Sequence, residues 1–243
     1  SNTASSNGRI IVDGYAGIYL GASSNNAISN NMVSLNGGSG IYLNVGSNNN
    51  ALSTNTVISN YHGIHIRSSS HNTLTFNTAQ SNSYYGIRLA RDSINNVVSN
   101  NMVVSNKQRG IDLYYANDNT ISNNQIRLNN IHGVYLEESF GNKIYNNNFI
   151  NNPTQAYVSG GSRNAFNLAR PAGGNYWSNW NSPDNNNDGF VDYPYVFTGG
   201  QDNLPWTRMN GWLDNTAPTT SIALTPSSPN GNNEWYITQI TVS

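Results

Sequence analysis

The chain lacks cysteine, has few charges and contains no long apolar run, and each absence excludes something. With no Cys among 243 residues, neither a disulfide framework nor thiolate chemistry is available. Charged residues make up 9% of the chain and the net charge is −1. A basic footprint is therefore missing, and nucleic acid is not an expected partner. No apolar stretch approaches bilayer-spanning length, so no membrane insertion is expected of this segment. No signal-peptide pattern opens the chain, and Ser1-Asn2-Thr3 reads as the start of a mature or trimmed segment. No sustained helical apolar period occurs either, which disfavours a helical solenoid.

What is present is a repeat. Gly17-Ile18-Tyr19-Leu20 returns as Gly40-Ile41-Tyr42-Leu43, Gly63-Ile64-His65-Ile66, Gly86-Ile87-Arg88-Leu89, Gly110-Ile111-Asp112-Leu113 and Gly133-Val134-Tyr135-Leu136. The step is about 23 residues, a period that marks a solenoid. Three Asn positions recur in each repeat, represented by Asn50, Asn55 and Asn60, then Asn72, Asn77 and Asn82, then Asn96, Asn101 and Asn106. Apolar residues recur between them, such as Leu52, Leu74, Val98 and Ile121, and Val33, Val57, Val103 and Ile126.

Each repeat thus reads as three short alternating runs ended by Asn- or Ser-rich corners. Alternation is the strand period, and Asn and Ser form turns. Stacked coils lie at the inter-strand spacing of about 4.8 Å, at which one Asn amide reaches the next and forms a ladder. A disordered Asn-rich tract would not hold its apolar columns in register. The pattern predicts an all-β fold: a right-handed, three-sided parallel β-helix of about seven coils over residues 1–170.

The composition changes after Phe166. Residues 171–212 are rich in aromatics and Gly, including Gly174-Asn175-Tyr176-Trp177-Ser178 and Tyr193-Pro194-Tyr195. A solenoid end exposes its core and strand edges, so this segment is expected to be a C-terminal cap. Residues 213–243 read as a linker and the first strands of a truncated immunoglobulin-like β-sandwich.

Within residues 171–212, Asp184-Asn185-Asn186-Asn187-Asp188-Gly189-Phe190-Val191-Asp192 has the spacing of an EF-hand-like loop. Asp184, Asn186, Asp188, the Phe190 carbonyl and Asp192 are the expected ligands of a structural Ca²⁺. Position 12 is Tyr195 rather than a bidentate Glu, so a further ligand such as Asp202 is expected.

The repeat, together with Gly174-Asn175-Tyr176-Trp177-Ser178 and Asp192-Tyr193-Pro194-Tyr195, resembles the NosD-type right-handed β-helix, also described as the CASH domain. The resemblance covers about residues 10–210. It implies an extracellular, cell-surface module of the kind abundant in archaea, methanogens in particular. It leaves function open among surface-layer proteins, lyases, epimerases and hydrolases, with disaggregatase as one plausible relative. The copper role attached to the NosD name is not supported by the residues: there is no Cys, only 3 Met, and 4 His without a Met-rich pattern.

In Gly-Ile-x-Leu the Ile and Leu point inward and x points outward. The x column is Tyr19, Tyr42, His65, Arg88, Asp112 and Tyr135. Beside it lie His62, Tyr85, Arg109 and His132 before the Gly, and Arg67, Tyr114 and Glu137 after the Leu or Ile. Tyr19, Tyr42, His62, Arg67, Tyr85, Arg109, Tyr114 and His132 are candidate substrate contacts, because rings suit sugar faces and Arg suits a uronate carboxylate. His65, Arg88, Asp112, Tyr135 and Glu137 are candidate catalytic groups. His or Tyr would serve as acid or base in a uronic-acid-polymer lyase, and Asp112 with Glu137 would form the carboxylate pair of a glycoside hydrolase. The expected function is a monomeric module that binds polysaccharide, with cleavage as its possible chemistry. The alternative is a non-catalytic structural surface-layer or adhesin module whose charged face is merely solvated.

Overall fold

The computed structural model describes residues 2–7 and 15–213, and the strand pair Leu224–Thr225 and Thr241–Val242. Each coil supplies one strand to each of three parallel sheets. An eight-stranded sheet runs from Thr3–Ser5 to Tyr176–Trp177, and a seven-stranded sheet from Ile18–Gly21 to Thr154–Ser159. The third sheet has six strands, from Ala27–Ser29 to Lys143–Tyr145. The only helix among the described residues is the 3₁₀ turn Gly211–Leu213. The chain is a right-handed parallel β-helix of about six turns rather than seven. After Lys143–Tyr145 the third side continues only as the bridge Lys143↔Ala165 before the path turns away.

Register follows the repeat. Ile41, Ile64, Ile87, Ile111 and Val134 stack directly in the seven-stranded sheet. Inward side chains from all three sheets, such as Leu43, Leu52, Val57, Leu74, Val103 and Ile126, form one buried core. Burying each such side chain contributes about 1.5–3 kcal/mol.

The Asn ladders form as the spacing requires. Asn77 Nδ2 donates to Asn101 Oδ1 at 3.1 Å, and Asn101 Nδ2 to Asn124 Oδ1 at 3.0 Å. The same oxygens also accept backbone N–H groups from the preceding coil, as Asn101 Oδ1 does from Asn77 N at 2.8 Å. The ladder residues are not the left-handed ones. Positive φ falls on the residue before each, at Asn30, Phe76, Asn100 and Asn123, or Leu35, Ser59, Ser81 and Leu128. The Gly of the tetrapeptide answers to a different demand. A Cβ on Gly40 would lie 2.3 Å from Val57 Cγ1 and 2.8 Å from Asn60 Nδ2, so close packing of core and ladder leaves no room for a side chain.

Aromatic rings close the C-terminal end of the core. Trp177 stacks on Phe149 at 4.5 Å and on Tyr195 at 4.4 Å. Asp202 is buried beneath them and accepts from Asn175 N at 2.7 Å, Trp177 Nε1 at 2.9 Å and Leu204 N at 3.0 Å. It is therefore a strut of this end, not the additional loop ligand expected from the sequence. Residues Ser1–Trp212 form one compact unit and Leu213–Ser243 a second. Of the second, Leu224–Thr225 pairs antiparallel with Thr241–Val242. The rest of the expected β-sandwich strands lie outside the described residues.

Candidate functional site on the Gly-Ile-x-Leu sheet

The x column points away from the core but is not a solvated face. Only its first ring is open: Tyr19 is 53% exposed, whereas Tyr42 is 2%, His65 3% and Asp112 0% exposed. His62 is also buried. The exposed Asp112 expected from alternation is corrected here. Rings cover the histidines, Tyr42 on His65 and Tyr85 on His62, and Arg88 and Arg109 lie against Asp112.

The N-terminal part of the column is a stack of rings. Tyr19 meets Tyr42 edge-on at 5.5 Å, and Tyr42 lies parallel to His65 at 4.7 Å. His62 stacks on Tyr85 at 5.0 Å and meets His65 at 5.4 Å. Burial drives the His62 imidazole down to about 3, assisted by the Arg88 charge. Burial likewise holds His65 well below its ordinary value, with His62, Arg88 and Arg67 adding to the effect. Both rings are neutral at physiological pH. His132 is lowered as well, by burial and by Arg109.

The middle of the column is an ion cluster. Arg88 Nε lies 3.1 Å from Asp112 Oδ2, and Arg109 Nη1 lies 2.5 Å from Asp112 Oδ1. Arg109 also sits over the Tyr135 ring at 3.5 Å. Arg88 lies 5.1 Å from the Tyr85 ring and 5.4 Å from that of Tyr114. Burial pushes the Asp112 carboxyl up from its ordinary value and prevails over the pull of Arg88 and Arg109. Glu137 is partly exposed and lies diagonally across the sheet, opposite Tyr114 rather than Asp112.

On the C-terminal flank of the sheet is an open cavity of about 390 Å³, lined by His65, Arg67, Arg88, Ala90, Arg91 and Tyr114. Three guanidinium groups and no carboxylate line it. Arg67 and Arg91 make no ion pair to the described residues. The structure brings His65, Arg67, Arg88 and Tyr114 together here. Tyr85, Arg109, His132 and Tyr135 gather on the opposite flank, and Tyr19 packs edge-on against Tyr42 at the N-terminal end.

Two residues escaped the sequence reading. Arg91 lies one place beyond the outer column and adopts a positive φ of 47°, which a strand pattern does not signal. Tyr157 stacks parallel to Tyr135 at 5.4 Å on a seventh strand. Its coil carries Gln155 where the tetrapeptide has Gly, which hid the repeat, although the Ala156-Tyr157-Val158 alternation was available.

The Asp184–Asp192 loop satisfies itself with local bonds. Asp184 accepts from Asp188 N at 3.1 Å and Gly189 N at 3.0 Å, and Asp192 accepts from Asn185 N at 3.1 Å. Asp188 bonds to Arg170, to Asn186 Nδ2 at 2.8 Å and to Phe190 N at 2.9 Å.

A parallel β-helix with a ring-lined, guanidinium-rich sheet is the class of protein defined by this fold and site. The chain belongs to the NosD family, described as "Periplasmic copper-binding protein (NosD)", which matches residues 1–182. No curated protein matches the chain. Among solved structures it is similar to the periplasmic alginate epimerase AlgG. A single-substitution variant gives 25% identity and a TM-score of 0.56. A double variant gives 26% and 0.53, and the unsubstituted protein 26% and 0.52. Each match covers 59% of this chain and 35% of the other, so the chain spans about a third of the length of these relatives.

The donors do not fit the copper of the family's description. Among the described residues, no three His, Cys, Asp or Glu side chains converge on a metal position. Met32 and Met102 lie three strands apart, roughly 14 Å at the usual strand spacing. His62 and His65 are packed against tyrosine rings. No helix among the described residues is long and apolar enough to cross a membrane.

Proposed function

We propose that this chain is a periplasmic or extracellular module that binds an anionic, uronate-containing polysaccharide along the Gly-Ile-x-Leu sheet. The observation that carries this is the cavity formed by Arg67, Arg88 and Arg91, with Tyr114 beside them and no carboxylate on its wall. Guanidinium forks match carboxylates, and a ring offers a face to a pyranose. The likeness of fold to an alginate epimerase supports an acidic polymer as ligand.

The chemistry favoured is proton abstraction next to the uronate carboxylate, the step shared by lyases and epimerases. A guanidinium stabilises the charge that develops on the carboxylate. Hydrolysis by Asp112 and Glu137 is disfavoured, because both Asp112 oxygens face arginines and neither faces the cavity.

The test is calorimetric titration with a polyuronate and with its carboxyl-reduced, neutral counterpart, followed by absorbance of unsaturated products. Arg67→Ala and Arg91→Ala should each weaken polyuronate binding by roughly tenfold or more, the worth of a charge-assisted contact. Equal affinity for the acidic and neutral polymers would remove the basis of this function.

A further inference from the structure

We infer that the cavity selects an isolated uronate, one whose neighbouring sugars toward the C-terminal end of the sheet carry no carboxylate. Selection of this kind rests on the uronate-binding reading above and adds to it the spacing of acidic sugars in the polymer.

Two columns of side chains run along the flank that holds the cavity. The first is Asn44, Arg67, Ala90, Tyr114 and Glu137, stacked in register on successive strands. The second lies at the adjoining corner, where Ser68, Arg91, Tyr115 and Glu138 occupy equivalent places with φ of 47°, 47°, 50° and 45°. Backbone bonds fix that equivalence. Ser68 N donates to Arg91 O at 3.0 Å, Arg91 N to Tyr114 O at 2.8 Å and Tyr115 N to Glu137 O at 2.9 Å.

Charge is sorted along both columns. Arg67 and Arg91 belong to the cavity, together with Arg88 from the middle of the sheet. The next coil carries Tyr114 and Tyr115, whose rings meet edge to face at 4.7 Å. The coil after it carries Glu137, partly exposed, and Glu138, exposed. Neither forms an ion pair with a described residue. The Glu137 charge adds to burial in raising the Asp112 carboxyl, so its field reaches back along the sheet. On the other side of the cavity Asn44 Nδ2 donates to Tyr19 Oη at 3.2 Å, a neutral pair. Asp92 follows Arg91 in the corner but is not on the cavity wall.

At the usual strand spacing Glu137 stands roughly 14 Å beyond Arg67, and Glu138 roughly 10 Å beyond Arg91. A polymer lying along the sheet with one carboxylate in the cavity carries its next sugars over the two rings and then past the two glutamates. Neutral sugars pass them without penalty. A second carboxylate there meets like charge, a repulsive element that discriminates between polymers and weakens with salt.

The experiment is calorimetric titration of the full chain at low ionic strength with two oligosaccharides of equal length. One is all uronate, and the other is carboxyl-reduced except for a single central uronate. The unsubstituted protein should bind the single-uronate oligomer more tightly. Glu137→Gln combined with Glu138→Gln should shift the ratio about fivefold toward the all-uronate oligomer, and added salt should shrink that shift. Tighter binding of the all-uronate oligomer by the unsubstituted protein, or the same ratio in protein and variant, would overturn the inference. Arg67→Ala tests the underlying reading and should weaken both oligomers. Binding of neither oligomer, or no loss in Arg67→Ala, would remove the proposed function and the selectivity with it. Loss in Arg67→Ala with an unmoved ratio in the glutamate variant would remove the selectivity alone.

Discussion

Acid should destabilise this solenoid through a ring in its wall, and His62→Phe should remove much of that sensitivity. His62 has a folded-state value of about 3, against 6.5 for the free side chain. Between those values the unfolded chain binds a proton that the folded chain does not, so stability rises with pH there and falls as pH drops below 6.5. At about pH 5, roughly one and a half units into that window, the cost is about 2 kcal/mol. His65, also lowered, acts in the same direction. Asp202 acts in the opposite one: burial raises it to about 6, so the folded state takes up a proton in acid before the unfolded state does. Comparing variant with parent cancels Asp202 and isolates the histidine. Phe preserves the stack on Tyr85, and His62 Nδ1 has no hydrogen-bond partner to lose. The assay is equilibrium urea unfolding at pH 7 and pH 5. The parent should lose about 2 kcal/mol more than His62→Phe between those conditions. Equal losses would refute the assignment of the acid sensitivity to this ring.

Asn101→Ala should cost about 3–5 kcal/mol, because Asn77 loses an acceptor and the Leu74 and Ser99 carbonyls lose a donor in a buried ladder; a thermal midpoint near that of the parent would count against the ladder as a source of stability. Phe76→Asn should stabilise by about 1 kcal/mol, since Phe76 is exposed at φ 57° while Asn30, Asn100 and Asn123 occupy the equivalent corners. A lower melting temperature would contradict this. Ca²⁺ is proposed to bind the Asp184–Asp192 loop in competition with Arg170 for Asp188. Arg170→Ala should then tighten Ca²⁺ binding several-fold by calorimetry, and unchanged affinity would refute the competition.

The fold was legible because its determinants are columns. Gly40, Asn60 and Val57 come into contact across coils, and each recurs at nearly fixed spacing, so the sequence displays the packing directly. The site was only half legible. Alternation gives the direction in which His65 and Asp112 point but not the depth at which they end. Depth depends on what packs against them, Tyr42 on His65, and Arg88 and Arg109 on Asp112. The Arg88–Asp112–Arg109 cluster is likewise a matter of side-chain conformation between adjacent strands. Six coils were legible by their tetrapeptide, but Tyr157 was not, because Gln155 stands where the Gly would be.

The ladders have a polarity. Every Oδ1 in the column from Asn31 to Asn175 points toward the N-terminal neighbour, as in Asn31 to Asn55 and Asn147 to Asn175. The carbonyl dipoles of the column therefore align along the axis, as peptide dipoles do in a helix, with the positive end at the C-terminus. At that end Asn175 directs its backbone N–H to the Asp202 carboxylate, with its amide nitrogen 3.4 Å from the same oxygen. A negative group thus stands at the positive pole of an array built entirely from uncharged side chains. The closing residue supplies electrostatic termination as well as shape, and no coil before it needs to carry a charge for that purpose.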